Sequence, residues 1–176
     1  MNTSLVFTFI GADRPGLVEC VAEAIAQHGG SWQESRMIEL AGQFAGIARV
    51  QLPQQQVPTL RTALEALSQQ GLQVSFAADE AAADSRPARQ SAFLKLIGND
   101  RPGIVREVSR GLLQRDINVT EMSSNISSAP MTGEPLFEAS VAIDLPAEGE
   151  LGNLEEALDA IAEALNIEID LDSRPL

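Results

Sequence analysis

The sequence predicts an α+β protein built from two tandem βαββαβ units, each a four-stranded antiparallel sheet with two helices on one face. Three observations carry that expectation. The octet "GADRPGLV" at residues 11–18 returns as "GNDRPGIV" at residues 98–105, an offset of 87. The register then continues, with "HGGSWQES" (28–35) lying against "RDINVTEM" (115–122) and "FAGIARVQLP" (44–53) against "FEASVAIDLP" (137–146). Apolar spacing, finally, switches between period two and helical period in the same order in both copies, the signature of one duplicated supersecondary unit.

Each unit opens with a short run rich in aromatic and branched residues, "TSLVFTFI" and "SAFLKLI", stopped by glycine as a central strand usually is. A helix follows, its expected buried stripe being Leu17, Val18, Val21 and Ile25 in one copy and Ile104, Val105, Val108 and Leu112 in the other. Two strands come next, the second alternating Phe44, Gly46, Ala48, Val50, Leu52 or Phe137, Ala139, Val141, Ile143, Leu145. Six residues added within "SSAPMTGEP" (127–135) read as a longer hairpin loop or a bulge. The second helices place Leu60, Leu64 and Leu67, or Leu154, Leu158, Ile161 and Leu165, on one face, and "LQVSF" and "IEIDL" close the units. Right-handed crossovers make this the ferredoxin-like arrangement, whose second sheet face is left bare. The expected boundaries are residues 1–78 for the first domain, 79–90 for a linker without apolar periodicity, and 91–173 for the second domain.

Composition excludes several classes. Twelve basic against twenty-five acidic residues give a net charge of −13, and Glu148 to Asp172 holds nine acids and no base. Nucleic-acid binding needs clustered cations, so direct contact with DNA is not expected. With Cys20 the only cysteine and His28 the only histidine, neither a disulfide, a four-cysteine zinc site nor a multi-histidine metal centre can form within the chain. No catalytic triad is available, and no phosphate loop of the Walker or Rossmann kind is present. No cofactor is expected. Leu5 to Ile10 is too short to span a membrane, and the reading is of a cytoplasmic, non-catalytic protein that pairs into a homodimer.

The octet sits where the first strand meets the first helix, and its chemistry allows two readings. As a turn, Asp13 and Asp100 would cap the helix, and Pro15 and Pro102 would occupy its first turn. Cys20, opposite Glu107 in the repeat, is expected on the outside of the helix. As a site, Gly16 and Gly103 would let a ligand approach the backbone, free N–H groups at the helix start would hold a carboxylate, and Asp13 or Asp100 would accept from an ammonium. Arg14 and Arg101 would serve as a carboxylate partner or a gate.

The two octets, the βαββαβ order and "INVTEMSSN" (117–125) resemble ACT domains, the regulatory modules that bind small amino acids. A tandem pair filling almost the whole chain is similar to the glycine cleavage system transcriptional repressor family. That resemblance implies sensing of a small amino acid, glycine or serine, and control of glycine-cleavage genes through a protein partner such as a transcriptional activator. The alternative it leaves is a detached regulatory subunit or scaffold acting on an amino-acid or folate enzyme. Carried over by position, the ligand-binding residues are Gly11, Asp13, Arg14, Gly16 and Leu17 in the first copy and Gly98, Asp100, Arg101, Gly103 and Ile104 in the second. Asn118 matches the asparagine that opens the second strand in many ligand-binding ACT units, whereas the first copy has Ser31 there.

Overall fold

A computed structural model describes residues 1–77, 90–145 and 151–172. The chain divides into two compact units, Met1–Ser85 and Arg86–Leu176. In the first, β1 (Asn2–Ala12), α1 (Leu17–Gln27), β2 (Ser31–Leu40), β3 (Gln43–Pro53), α2 (Val57–Ala66) and β4 (Leu72–Phe76) follow in order. The second repeats them as β5 (Gln90–Asn99), α3 (Ile104–Leu113), β6 (Asn118–Ser128), β7 (Pro135–Leu145), α4 (Leu151–Leu165) and β8 (Ile167–Asp172). The linker expected at 79–90 lies outside the described residues except for Gln90, which opens β5 opposite Leu145.

Both sheets are antiparallel, with strand order β2-β3-β1-β4 and β6-β7-β5-β8. The unit's first strand is central because it pairs on both sides, and its alternating side chains fill the core under the helices. Leu5, Phe7 and Phe9 are buried with Ala48, Val50 and Leu52 of β3 against Leu17, Val21, Ile25, Leu60 and Leu64. In the second unit Leu94 and Leu96 join Val141 and Ile143 against Ile104, Val108, Leu112, Leu158 and Ile161.

Val18 and Val105 depart from expectation, since both are exposed. A helix of 3.6 residues per turn places the residue next to Leu17 or Ile104 about 100° around the cylinder, at the rim of the buried face. Cys20 also differs, being half-buried and packed against the core edge. The inserted residues close the β6–β7 hairpin beyond the Ser128–Pro135 pair, held by the Ala129 N–H donating to Glu134 O at 2.8 Å. Single bulges fall at matched places, between Trp32 and Glu34 and between Val119 and Glu121. His28 and Arg115 also match: His28 Nδ1 lies 2.7 Å from Ala24 O and Arg115 Nη1 donates to Gly111 O at 3.1 Å, each at the negative end of its first helix.

Candidate functional site

The octet forms a turn that ties three parts of its unit together. Gly16 (φ 92°, ψ −1°) and Gly103 (φ 90°, ψ 0°) follow Pro15 and Pro102, the backbone of a type II turn with proline second and glycine third. The glycine is demanded by its positive φ, and a Cβ there would meet only a glutamate oxygen at 3.9 Å. These glycines, not the aspartates, are the N-caps, and no side chain caps either helix. Pro15 and Pro102 therefore stand before the helix, because the turn places one more residue ahead of the first helical position. The aspartates contribute their backbone instead: the Asp13 N–H donates to Gly42 O at 2.9 Å and the Asp100 N–H to Pro135 O at 3.0 Å. Their carboxylates are exposed and enter no hydrogen bond or ion pair among the described residues, which leaves them available to an ammonium group.

Gly11 and Gly98 are fixed by close approach. A Cβ on Gly11 would lie 2.6 Å from Gly71 O, and one on Gly98 would lie 2.5 Å from Ile167 Cγ2. Arg14 Nη2 donates to Gln70 O at 3.1 Å, and Arg101 Nη2 reaches Leu165 O at 3.5 Å. Both arginines thus meet carbonyls at the end of the second helical segment, where a cation complements the dipole.

The arginines differ in their acidic partner. Glu107 Oε2 accepts from Arg101 Nη2 at 2.6 Å, while the matching position in the first copy is Cys20, whose Sγ lies 3.8 Å from Gln70 Oε1. The Arg101 hydrogen bond, opposed by desolvation and aided by charge, holds the Glu107 carboxyl below its usual range; the same bond raises Arg101. A carboxylate ligand would have to draw Arg101 away from Glu107. A carboxyl with a lowered folded-state pKa stabilises the fold above its unfolded pKa and loses that contribution as pH falls through the folded value. Glu107→Gln is therefore expected to lower the melting temperature at pH 7, with the gap to wild type narrowing toward about pH 3. Melts of the two proteins across that range check it, and a gap independent of pH would contradict it.

Asn118 does not join the octet of its own unit. It pairs with Asp144, which pairs with Ser91, whereas the octet begins at the other end of β5 near Asn99. Eight residues at about 3.3 Å each put them on the order of 26 Å apart. Ser31 is likewise set beside Gln51 and Ser4, far from Gly11. Beside the second octet lies an open cleft of about 560 Å³, lined by Gly98, Asn99, Ala162, Glu163, Asn166 and Glu168 among others. Sequence reasoning named only Gly98 of these, although a glycine and an asparagine, Gly71 and Asn166, stand between the second helical segment and the last strand, residue types that tolerate the positive φ both adopt. Amides and carboxylates in that cleft suit an ammonium better than an anion. Among the described residues no three His, Cys, Asp or Glu side chains are grouped to hold a metal, and no helix is long and apolar enough to cross a membrane.

Residues 3–77 match the family model of the ACT domain. The first unit is an ACT domain. Its fold recurs in the second unit, with the same strand order. The glycine cleavage system transcriptional repressor of Escherichia coli (strain K12) is 23% identical over 163 residues, spanning 92% of this chain and 85% of that protein, and the repressor of Shigella flexneri matches equally. The crystal structure of an unknown protein from Galdieria sulphuraria superposes with a TM-score of 0.81 at 28% identity, covering 98% of both chains. The crystal structure of a candidate glycine cleavage system transcriptional repressor gives 0.74 at 20% identity, over 98% of this chain and 97% of that one, and shows the shared tandem fold.

Proposed function

We propose that this ACT-domain protein is a non-catalytic regulator that senses a small amino acid, glycine first and serine second, and controls glycine-cleavage genes through a protein partner. The observation that supports it is likeness along nearly the full length of both proteins, 92% of this chain and 85% of the Escherichia coli repressor. A net charge of −13 favours action through a protein rather than direct contact with DNA. The ligand's carboxylate would rest on the N–H groups of the first turn of α3, next to Gly103 and Ile104, and its ammonium on Asp100. Gly98 and Arg101 shape the approach, and Asn118 would complete the site from another copy of the unit, since its own octet is out of reach. In the first copy Gly11, Asp13, Arg14, Gly16 and Leu17 would play the same parts without an asparagine.

A thermal-shift screen against the common amino acids tests this reading. At a free ligand concentration about 100 times Kd, linkage stabilises the folded state by roughly 2.7 kcal/mol, a shift of several degrees. Asp100→Asn, an exposed position, is expected to retain the unliganded melting temperature and lose the shift, with Asp13→Asn reporting on the first octet. No shift with any amino acid at millimolar concentration, or an Asp100→Asn/Asp13→Asn protein that responds as wild type does, would leave the octets as turns alone.

A further inference from the structure

The two units carry opposite chemistry on the sheet face that their helices leave bare. Register identifies that face: Phe7 and Phe9 point under the helices, so Val6, Thr8 and Ile10 point away, together with Ile38, Ala45, Ile47 and their neighbours. Ile10, Ile38, Ile47 and Leu40 are 47%, 59%, 45% and 71% exposed. Arg36 and Arg49 stand among them with Glu34, a net charge of +1, and Val6, Ile47 and both arginines line a shallow cavity of about 280 Å³. Single exposed aliphatics are ordinary, but four on one face of one small sheet make a patch of the kind that marks an interaction surface.

Away from the central strand, matching positions in the second unit are largely acidic or polar. Asn125 stands for Ile38, Ser140 for Ile47, Glu138 for Ala45, and Glu168 and Asp170 for Gln73 and Ser75. Among the described side chains, Glu121, Glu138, Asp144, Glu168 and Asp170 stand on this face against Lys95, five negative charges and one positive, a net −4. Phe93 and Ile97 give it an apolar strip on the central strand. A duplicated unit keeps what the fold needs, and these two have kept their buried positions while separating in charge on the bare face.

We infer that the basic, aliphatic sheet face of the first unit docks on the acidic sheet face of the second unit of another copy of the chain, reciprocally. Sheets stack face to face about 10 Å apart, the +1 and −4 faces attract, and like faces repel, which sets the pairing. Four strands about 4.8 Å apart and roughly eight residues long give about 500 Å² per face. Two such contacts bury roughly 1000 Å² per copy, in the range of stable interfaces, whereas one alone falls below it.

The test is a charge swap read by sedimentation. Wild type is expected to be a dimer at tens of micromolar, weakening with salt. Arg36→Glu/Arg49→Glu, and separately Glu138→Lys/Glu168→Lys/Asp170→Lys, should each raise Kd by about a hundredfold or more, because each self-pairing then sets like charges together. Mixed one to one, the two variants should re-form a dimer, every contact between them being complementary again. Thermal melts confirm that each variant is folded, and Ile38→Asn/Ile47→Ser, which copies the second unit's own residues, provides an uncharged variant expected to lose the dimer too. A monomeric wild type, variants that dimerise as wild type does, or folded variants whose mixture stays monomeric would overturn the inference.

Discussion

Phe7→Ala is expected to cost the first unit about 3–5 kcal/mol. Phe7 lies mid-way along the central strand, fully buried, with its ring 6.1 Å from that of Phe9 and 6.2 Å from that of Phe76. The strand is hydrogen-bonded on both sides, to β3 and to β4, so the backbone cannot collapse into the space the ring leaves. Neighbouring Leu60 and Leu64 belong to a helix, and moving them inward would disturb packing along its whole buried face. Cavity cost therefore adds to lost burial. For a domain of this size each kcal/mol moves the melting temperature by about 4–8 °C, so calorimetry should show a transition lowered by more than 10 °C. A loss below about 1 kcal/mol would mean that the core relaxes around the deletion.

Gly11→Val is expected to cost about 3 kcal/mol or more, for the opposite reason. Its Cβ would sit 2.6 Å from the Gly71 carbonyl oxygen and 3.3 Å from Leu72 Cδ1. A side chain at that place could rotate away; a backbone oxygen at the α2–β4 junction moves only with the junction. Arg14, which binds Gln70 O immediately before it, would be displaced as well. Denaturant melts should show a lowered midpoint, and a neutral outcome would mean that the junction is looser than these contacts require. The result bears on the octet, because it separates Gly11, held by packing, from Gly16, held by its φ of 92°.

Much of this was legible in the amino-acid order. The alternation of Phe44 to Leu52 and of Phe137 to Leu145 placed β3 and β7 and their inward faces, because a strand's side chains can only alternate. The offset of 87 aligned both octets before any sheet was known. The cap was misread at Asp13 and Asp100 because a cap-proline-glycine order fits both a capped helix and a type II turn, and local sequence does not choose between them. The backbone decides it: the positive φ of Gly16 and Gly103 makes them the N-caps, while the aspartates' N–H groups are taken by Gly42 O and Pro135 O from elsewhere in the chain.

By itself the sequence determined the duplication, the order of elements, the buried stripes and the excess of acid, since these depend on neighbours a few residues apart and on a comparison of one half with the other. Tertiary structure alone decided that Asn118 and its octet stand at opposite ends of one sheet, that Arg14 and Arg101 reach the end of a helix 56 and 64 residues away, and that the bare faces differ in charge. Periodicity tells which side of a strand faces the core. Which residues from other strands share the outer side depends on register, and register is set by long-range pairing that no short stretch of sequence contains.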